Sequence, residues 1–146
     1  MEELMDRPLS EDLGFLLSRA SGAVVRTTNA ALVEHGLRVR QYSVLVLACE
    51  TADGVSQRAL ATVLGLDPSQ VVLLVDELTA AGLVERRPDP ADRRTRLVVA
   101  TAAGRRVRGL AGTAAAAAVE SPMALLDEAD RQALRELLTR IWSATT

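Results

Sequence analysis

Hydrophobic positions recur at helical spacing along most of this chain. Between residues 10 and 35 an apolar stripe predicts one long helix, which Ser10 can cap and Gly36 can end. A second helix is predicted from Val39 to about Thr51. Its residues 44–49 are apolar on almost every side, so we expect this helix to lie at the centre of the fold.

Two short helices follow, joined by a turn that contains glycine. Ser56 is a suitable N-cap for the first of them. The second has Asp67 as its N-cap and Pro68 in its first turn, and Gln70 can complete a capping box. This pattern is typical of a helix-turn-helix. Residues 68–81 would then be the recognition helix, whose N-terminal residues lie nearest the DNA bases.

A hairpin then interrupts the helices. Two β-favouring runs, Leu83–Arg87 and Thr95–Ala100, flank a turn rich in Pro, Asp and Arg. Pro88 and Pro90 are expected in the connection, because proline cannot pair within a central strand. Directly after a helix-turn-helix, this hairpin is interpreted as the wing of a winged helix-turn-helix, with its charged part at residues 85–96.

The tip of the predicted wing carries a carboxylate two residues before an arginine. Asp92 is predicted to orient the guanidinium of Arg94, which would otherwise move freely in solvent. An oriented arginine suits the narrow minor groove of DNA, where the negative potential is enhanced. A charged surface turn, whose salt bridge contributes about 0–1 kcal/mol, is the alternative interpretation.

Two more helices are predicted after the hairpin. Thr101 can cap a helix that continues through the alanines at 114–118, and Asp127 can cap the last helix. The last helix has an apolar stripe formed by Ala133, Leu134, Leu137, Leu138, Ile141 and Trp142.

The predicted elements add up to a mainly α fold with a small β-hairpin. The winged helix-turn-helix would occupy residues 37–101. The terminal helices carry more apolar surface than one small DNA-binding unit needs. We therefore expect residues 1–36 and 102–146 to form a helical dimerisation region, intertwined with the DNA-binding region in a single domain.

The formal net charge is −2, which by itself argues against a nucleic-acid partner. The charge is unevenly distributed, however. Residues 85–108 hold eight arginines and three carboxylates, a net of +5, whereas residues 1–12 have a net of −4. The chain contains no lysine, so all 17 of its strongly basic residues are arginine. Arginine suits phosphates and guanine edges, although a GC-rich genome would produce the same bias.

The sequence offers a set of candidate contacts to double-stranded DNA. Gln70 can bind adenine through two hydrogen bonds, and the outward-facing Val72 and Leu73 can touch thymine methyl groups. Arginines of the wing would contact phosphates and the minor groove. The candidates are Arg58, Ser69, Gln70, Val72, Leu73, Arg86, Arg93, Arg94 and Arg96. An ordinary helical hairpin with a solvated outer face is the alternative interpretation.

The sequence lacks the residue groups of a catalytic or metal site. One His and one Cys cannot supply a metal site of ordinary spacing, so neither metal nor cofactor is expected. Cys49, late in an apolar helix, predicts a reduced structural thiol whose pKa is raised by burial. No apolar run approaches the roughly 18 residues of a membrane span, and no signal peptide is evident. We expect a cytoplasmic protein that is not an enzyme.

The chain resembles the multiple-antibiotic-resistance regulator (MarR) family over about residues 10–142. The resemblance is carried by RQYSVLVLACE, by SQRALATVLGLDPSQVVLLVDELTAAGLVERRPDPADRRTRLVVATAAG and by LDEADRQALRELLTRIW. The DPADRRTR segment beside GLVER is the most specific part. The resemblance implies a homodimeric winged-helix repressor that a small, often aromatic or phenolic, ligand releases from its operator.

The resemblance also implies a ligand pocket between the dimer helices and the DNA-binding core. Phe15, His35 and Tyr42 are the candidates for lining it, with core packing or a helix-end position as the alternative for each. The chain departs from many relatives in its apolar recognition helix, which carries Val72 and Leu73 where polar or basic residues are common. This departure keeps an alternative function open, namely a winged-helix module that binds another protein and reads no DNA.

Overall fold

The computed structural model describes residues 7–145. This part of the chain contains six α-helices and three strands, which confirms the predicted mainly α fold with a small β element. The helices are α1 (Leu13–Leu32), α2 (Val39–Glu50), α3 (Gln57–Leu64), α4 (Pro68–Ala80), α5 (Ala102–Glu120) and α6 (Glu128–Ala144). The strands are β1 (Val55–Ser56), β2 (Val84–Pro88) and β3 (Arg96–Ala100).

Helix α1 begins two residues later than predicted. Asp12 is its N-cap, and the Asp12 carboxylate accepts the N–H of Phe15 at 2.7 Å. Ser10 instead lies in a 3-10 turn that precedes the helix, so it was wrongly predicted as the cap. At the other end a second 3-10 turn leads into Gly36, whose left-handed φ of 69° ends the helical segment as predicted.

Helix α2 lies at the centre of the fold, as its apolar composition predicts. Val44, Leu45 and Ala48 are fully buried, and the helix packs against α1, α3, α4, α5 and β3. The core around it is aliphatic, and its largest fully buried side chains are Leu32, Leu45, Leu60, Leu78, Val44, Val71, Val75, Val84 and Val98.

The predicted hairpin is part of a three-stranded antiparallel sheet in the order β1-β3-β2. The two-residue strand β1 pairs Val55 with Val98 and was not predicted, because two residues leave no alternating pattern to detect. Pro88 lies in β2 opposite Arg96, although it was expected in the connection. An edge strand tolerates this proline because only one side of the strand is paired.

Helix α6 packs loosely and buries none of its residues. Arg131 links it to the end of α5 and to the connecting segment, since its guanidinium donates to the Glu120 carboxylate at 3.0 Å, to the Met123 carbonyl at 3.0 Å and to the Leu126 carbonyl at 3.2 Å. Within residues 7–145 no single helix has both the length and the apolar character needed to cross a membrane. Helices α3 and α4 meet that requirement only jointly, as a pair bent by 113°.

Candidate nucleic-acid interface

Helices α3 and α4 form the predicted helix-turn-helix. Their axes are bent by 113° relative to each other, within the range of this motif. The Ser56 hydroxyl caps α3 by accepting the N–H of Ala59 at 3.1 Å. Gly65 ends α3 with a left-handed φ of 63°, which an L side chain would strain, and this allows the sharp turn into α4.

The recognition helix α4 presents its inner face to the core and its outer face to solvent. Val71, Val75 and Leu78 are fully buried. The four candidate readers Ser69, Gln70, Val72 and Leu73 are exposed, and for Val72 and Leu73 this outward position was predicted. The predicted capping box is also present, since the Gln70 side-chain oxygen accepts the N–H of Asp67 at 3.1 Å.

Arg86 on β2 braces the recognition helix from the side of the wing. Its guanidinium forms an ion pair with Asp76 of α4 at 2.7 Å and approaches the Val72 carbonyl at 3.4 Å. Its Nε also donates to the side chain of Gln57, the first residue of α3, at 3.0 Å. Arg86 was predicted as a direct DNA contact, but these partners make it a residue that holds β2, α3 and α4 together.

A second set of hydrogen bonds links α4 to the N-terminal helix. The Asn29 side chain of α1 accepts the N–H of Val39 at 2.9 Å, and the Gln41 side chain accepts the N–H of Arg38 at 2.9 Å. The Gln41 amide nitrogen also donates to the carboxylate of Glu77 on α4. These side chains position the recognition helix relative to α1 and α2. No sequence pattern indicated them, because Gln41 and Glu77 are 36 residues apart.

The tip of the wing is ordered by Asp92, but not in the predicted way. Its carboxylate accepts the backbone N–H of Arg94 at 3.0 Å and the hydroxyl of Thr95 at 3.2 Å. Asp92 forms no ion pair with Arg94, so the prediction that it orients the guanidinium was wrong. The reason is local, since a carboxylate two residues before an N–H closes an Asx turn. Asp92 therefore shapes the backbone of the tip.

The arginines of the wing tip remain available for a partner. Arg93, Arg94 and Arg96 are exposed, and so is Arg58 on α3. Within residues 7–145 none of these four guanidiniums forms an ion pair or a side-chain hydrogen bond. The interface thus combines an exposed recognition-helix face with a cluster of uncommitted positive charge on the wing.

Known proteins that are similar to this chain in sequence and structure are winged-helix regulators, in agreement with this geometry. A profile of the MarR family matches residues 35–95. A MarR-family transcriptional regulator from Rhodococcus sp. RHA1, solved by X-ray crystallography, is 50% identical to this chain. The match covers 94% of this chain and 96% of that protein, with a TM-score of 0.90. The chain belongs to the MarR family.

Two further solved structures bear on what this family binds. CouR from Rhodococcus jostii RHA1, bound to p-coumaroyl-CoA, is 50% identical over 94% of this chain and 96% of its own, with a TM-score of 0.88. A transcriptional repressor named CouR, bound to a 23-mer DNA duplex, is 32% identical over 91% of this chain and 94% of its own, with a TM-score of 0.83. The protein is therefore a winged-helix transcriptional regulator of the MarR family.

The three predicted effector residues of this MarR-family chain do not lie together. Phe15 is half-buried in the first turn of α1, whereas His35 lies beyond the other end of the same helix. Twenty residues of helix separate them by about 30 Å, so both cannot line one pocket within one chain. Tyr42 of α2 lies against α5, where a β-carbon added to Gly112 would be 3.3 Å from the Tyr42 hydroxyl.

Cys49 is half-buried at the end of α2. Burial raises the pKa of its thiol, as predicted, and the positive charges of Arg105 and Arg108 oppose the rise. Arg105 also donates from its guanidinium to the Cys49 carbonyl at 3.2 Å, which satisfies an end carbonyl of the helix. Among the described residues, no group of three or more His, Cys, Asp and Glu is placed to hold a metal ion.

Proposed function

We propose that this MarR-family protein is a homodimeric repressor that binds a pseudo-palindromic operator and releases it when an aromatic ligand binds. One observation carries the DNA-binding part. The recognition helix faces solvent beside a wing whose Arg93, Arg94 and Arg96 have no partner within residues 7–145. In this proposal the protein binds DNA and catalyses no reaction. It acts in the cytoplasm, where such an operator is accessible.

Each part of the interface has its own proposed role. The outer face of α4, with Ser69 and Gln70 in its first turn, enters the major groove. The wing arginines follow the adjacent backbone and minor groove, and Arg58 adds a phosphate contact. Arg86 positions α4 through its bonds to Gln57 and Asp76 and does not itself read bases.

The dimer is proposed to form through the terminal regions, residues 1–36 and 102–146, around DNA-binding units at 37–101. Helix α6 is 17 residues long, and none of these residues is buried within one chain. Leu137 and Ile141, which belong to its apolar stripe, are therefore exposed to solvent. In proteins most of the stability of a helix comes from packing of its apolar face against other elements. The N-terminal end of α1 exposes Leu13, Leu16 and Leu17 as well. Pairing of these apolar surfaces across a two-fold axis would bury both.

Dimerisation can be tested by sedimentation equilibrium. The wild type should sediment as a dimer, and Ile141→Glu should shift it toward monomer, because a carboxylate would be buried in the interface. Thr62→Glu, at an exposed position of α3 in the DNA-binding unit and outside the proposed dimer region, is the control and should leave the dimer intact. A wild type that stays monomeric at micromolar concentration would refute the proposed assembly.

The effector is proposed to be an aromatic acyl-CoA thioester. This choice rests on CouR from Rhodococcus jostii RHA1, which is 50% identical and was solved with p-coumaroyl-CoA. The Tyr42 hydroxyl, which lies against the glycine at 112, is a candidate hydrogen-bonding group for such a ligand. Phe15 and His35 would have to reach the same ligand from two different chains of the dimer.

DNA binding is tested by recovering genomic fragments bound to the purified protein and titrating the resulting operator. Affinity should fall steeply between about 50 and 200 mM salt, because phosphate contacts release counterions. Arg94→Ala should weaken binding at least about tenfold, whereas Arg19→Ala, an exposed arginine on α1, should change it little. Binding that is insensitive to salt would favour the protein-interaction module instead. An Arg94→Ala loss below twofold, with the fold intact, would mean that the proposed role of the wing is wrong.

The effector is tested on the same operator with three matched additions. p-Coumaroyl-CoA should release the DNA, whereas free p-coumarate and free CoA, added separately, should not. Tyr42→Phe should bind the operator normally and need more thioester for release. If free p-coumarate releases the DNA as well as the thioester does, the effector is the acid and the CoA part of the proposal is wrong.

A further inference from the structure

The outer face of the recognition helix is apolar at its centre. Leu73 is 62% exposed and Val72 is 38% exposed. Leu73 lies two residues from both Val71 and Val75, which places it about 160° around the helix axis from each of these buried residues. Ser69 lies one turn earlier on the same side. A fully outward leucine one to two turns into this helix therefore occupies the position from which base edges are reached.

Two polar side chains near this leucine, Gln70 and Arg86, are engaged within the protein. The Gln70 side-chain oxygen accepts the N–H of Asp67 at 3.1 Å, so a two-bond contact with adenine would compete with this helix cap. The guanidinium of Arg86 is held by Asp76 and Gln57. What the middle of this face offers to a base is thus a pair of branched hydrocarbon side chains.

The major groove of DNA displays one apolar group, the C5-methyl of thymine. Cytosine and guanine would instead face the hydrocarbon side chains with polar groups that lose their hydrogen bonds to water. We propose that Leu73, assisted by Val72, is a specificity-determining residue that selects thymine in each half-site by contact with its methyl group. This inference rests on the proposed function, since it requires α4 to enter the major groove.

The experiment replaces thymine by uracil, which removes only the methyl group and keeps base pairing. Each thymine of the recovered operator is replaced singly in a synthetic duplex. Burial of one methyl group corresponds to about a fourfold change in affinity. Wild type should therefore bind about fourfold more weakly when the contacted thymine is replaced, and about 15-fold more weakly when both half-sites are changed. Replacement outside the half-sites should have no effect.

The matched variants identify the side chain that makes the contact. Leu73→Ala should fold normally, because Leu73 is exposed and alanine favours helix. It should bind the thymine operator about 15-fold more weakly than wild type, because both protomers of the dimer lose the contact, and it should no longer distinguish uracil from thymine. Leu125→Ala, which truncates a leucine that is 98% exposed outside the DNA-binding unit, should keep the full uracil effect.

The outcomes separate this inference from the function on which it rests. If wild type binds the thymine operator but is indifferent to uracil at every position, repression stands and the methyl readout is wrong. A full uracil effect retained by Leu73→Ala also overturns the assignment to Leu73. If no duplex is bound in a salt-dependent manner, the proposed function itself fails, and the inference fails with it.

Discussion

Replacing Gly104 with alanine should destabilise this protein, even though alanine is the better helix former. Gly104 is buried in the first turn of α5, and a β-carbon added there would lie 1.9 Å from the carbonyl oxygen of Leu83. That oxygen accepts the N–H of Thr101 at 3.0 Å. It cannot withdraw without breaking the hydrogen bond that joins the start of β2 to the start of α5.

The magnitude follows from the size of this clash. The β-carbon would be roughly 1.5 Å inside van der Waals contact, and the obstacle is backbone rather than a flexible side chain. Overpacking strain of this kind costs about 3 kcal/mol or more. The higher helix propensity of alanine offsets about 1 kcal/mol. The free energy of unfolding should therefore fall by at least about 2 kcal/mol, and Tm by about 4–8 °C.

The same helix provides the control. Gly109 is exposed, and a β-carbon added there would meet nothing within 4 Å. Gly109→Ala should therefore raise the free energy of unfolding by about 0.5–1 kcal/mol through helix propensity alone. Denaturant unfolding followed by circular dichroism, at equal protomer concentration, measures both variants. The reasoning is refuted if the two substitutions shift stability in the same direction.

Three further predictions concern the wing, its brace and the thiol. Asp92→Ala should weaken operator binding more than Asp92→Asn, because asparagine keeps an oxygen that can accept the Arg94 N–H. Equal losses of operator affinity in gel-shift titrations would mean that the negative charge of Asp92 matters instead. Arg86→Ala should lower the free energy of unfolding by about 2 kcal/mol, since it removes contacts with α3 and α4. The side chain of Arg87 is 61% exposed, so Arg87→Ala should cost less than about 0.5 kcal/mol. Equal urea midpoints for the two variants would mean that the contacts of Arg86 with α3 and α4 do not stabilise the fold. Because burial raises the pKa of the Cys49 thiol, the free energy of unfolding should fall as pH rises above about 8.5, the ordinary pKa of a thiol. Thermal unfolding over a pH series measures this fall, and an equally steep fall in a Cys49→Ala variant would exclude the thiol as its cause.

The elements of this protein could be predicted from its sequence wherever their cause is local. Gly36 ends the first helical segment and Asp67 with Gln70 caps the recognition helix, as expected. Such signals act over at most four residues, and helical periodicity needs little more. The order of the elements was enough to indicate a winged helix-turn-helix, because few other folds follow two short helices directly with a charged hairpin.

Only the tertiary structure decided which polar groups remain free to meet DNA. Arg86 and Gln57 are 29 residues apart, and Gln41 and Glu77 are 36 apart, so no local pattern links them. The sequence could place Arg86 among the basic residues of the wing, but not against α4. An arginine donates to whichever acceptors the fold brings within reach, and that choice depends on the packing of β2 against α3 and α4.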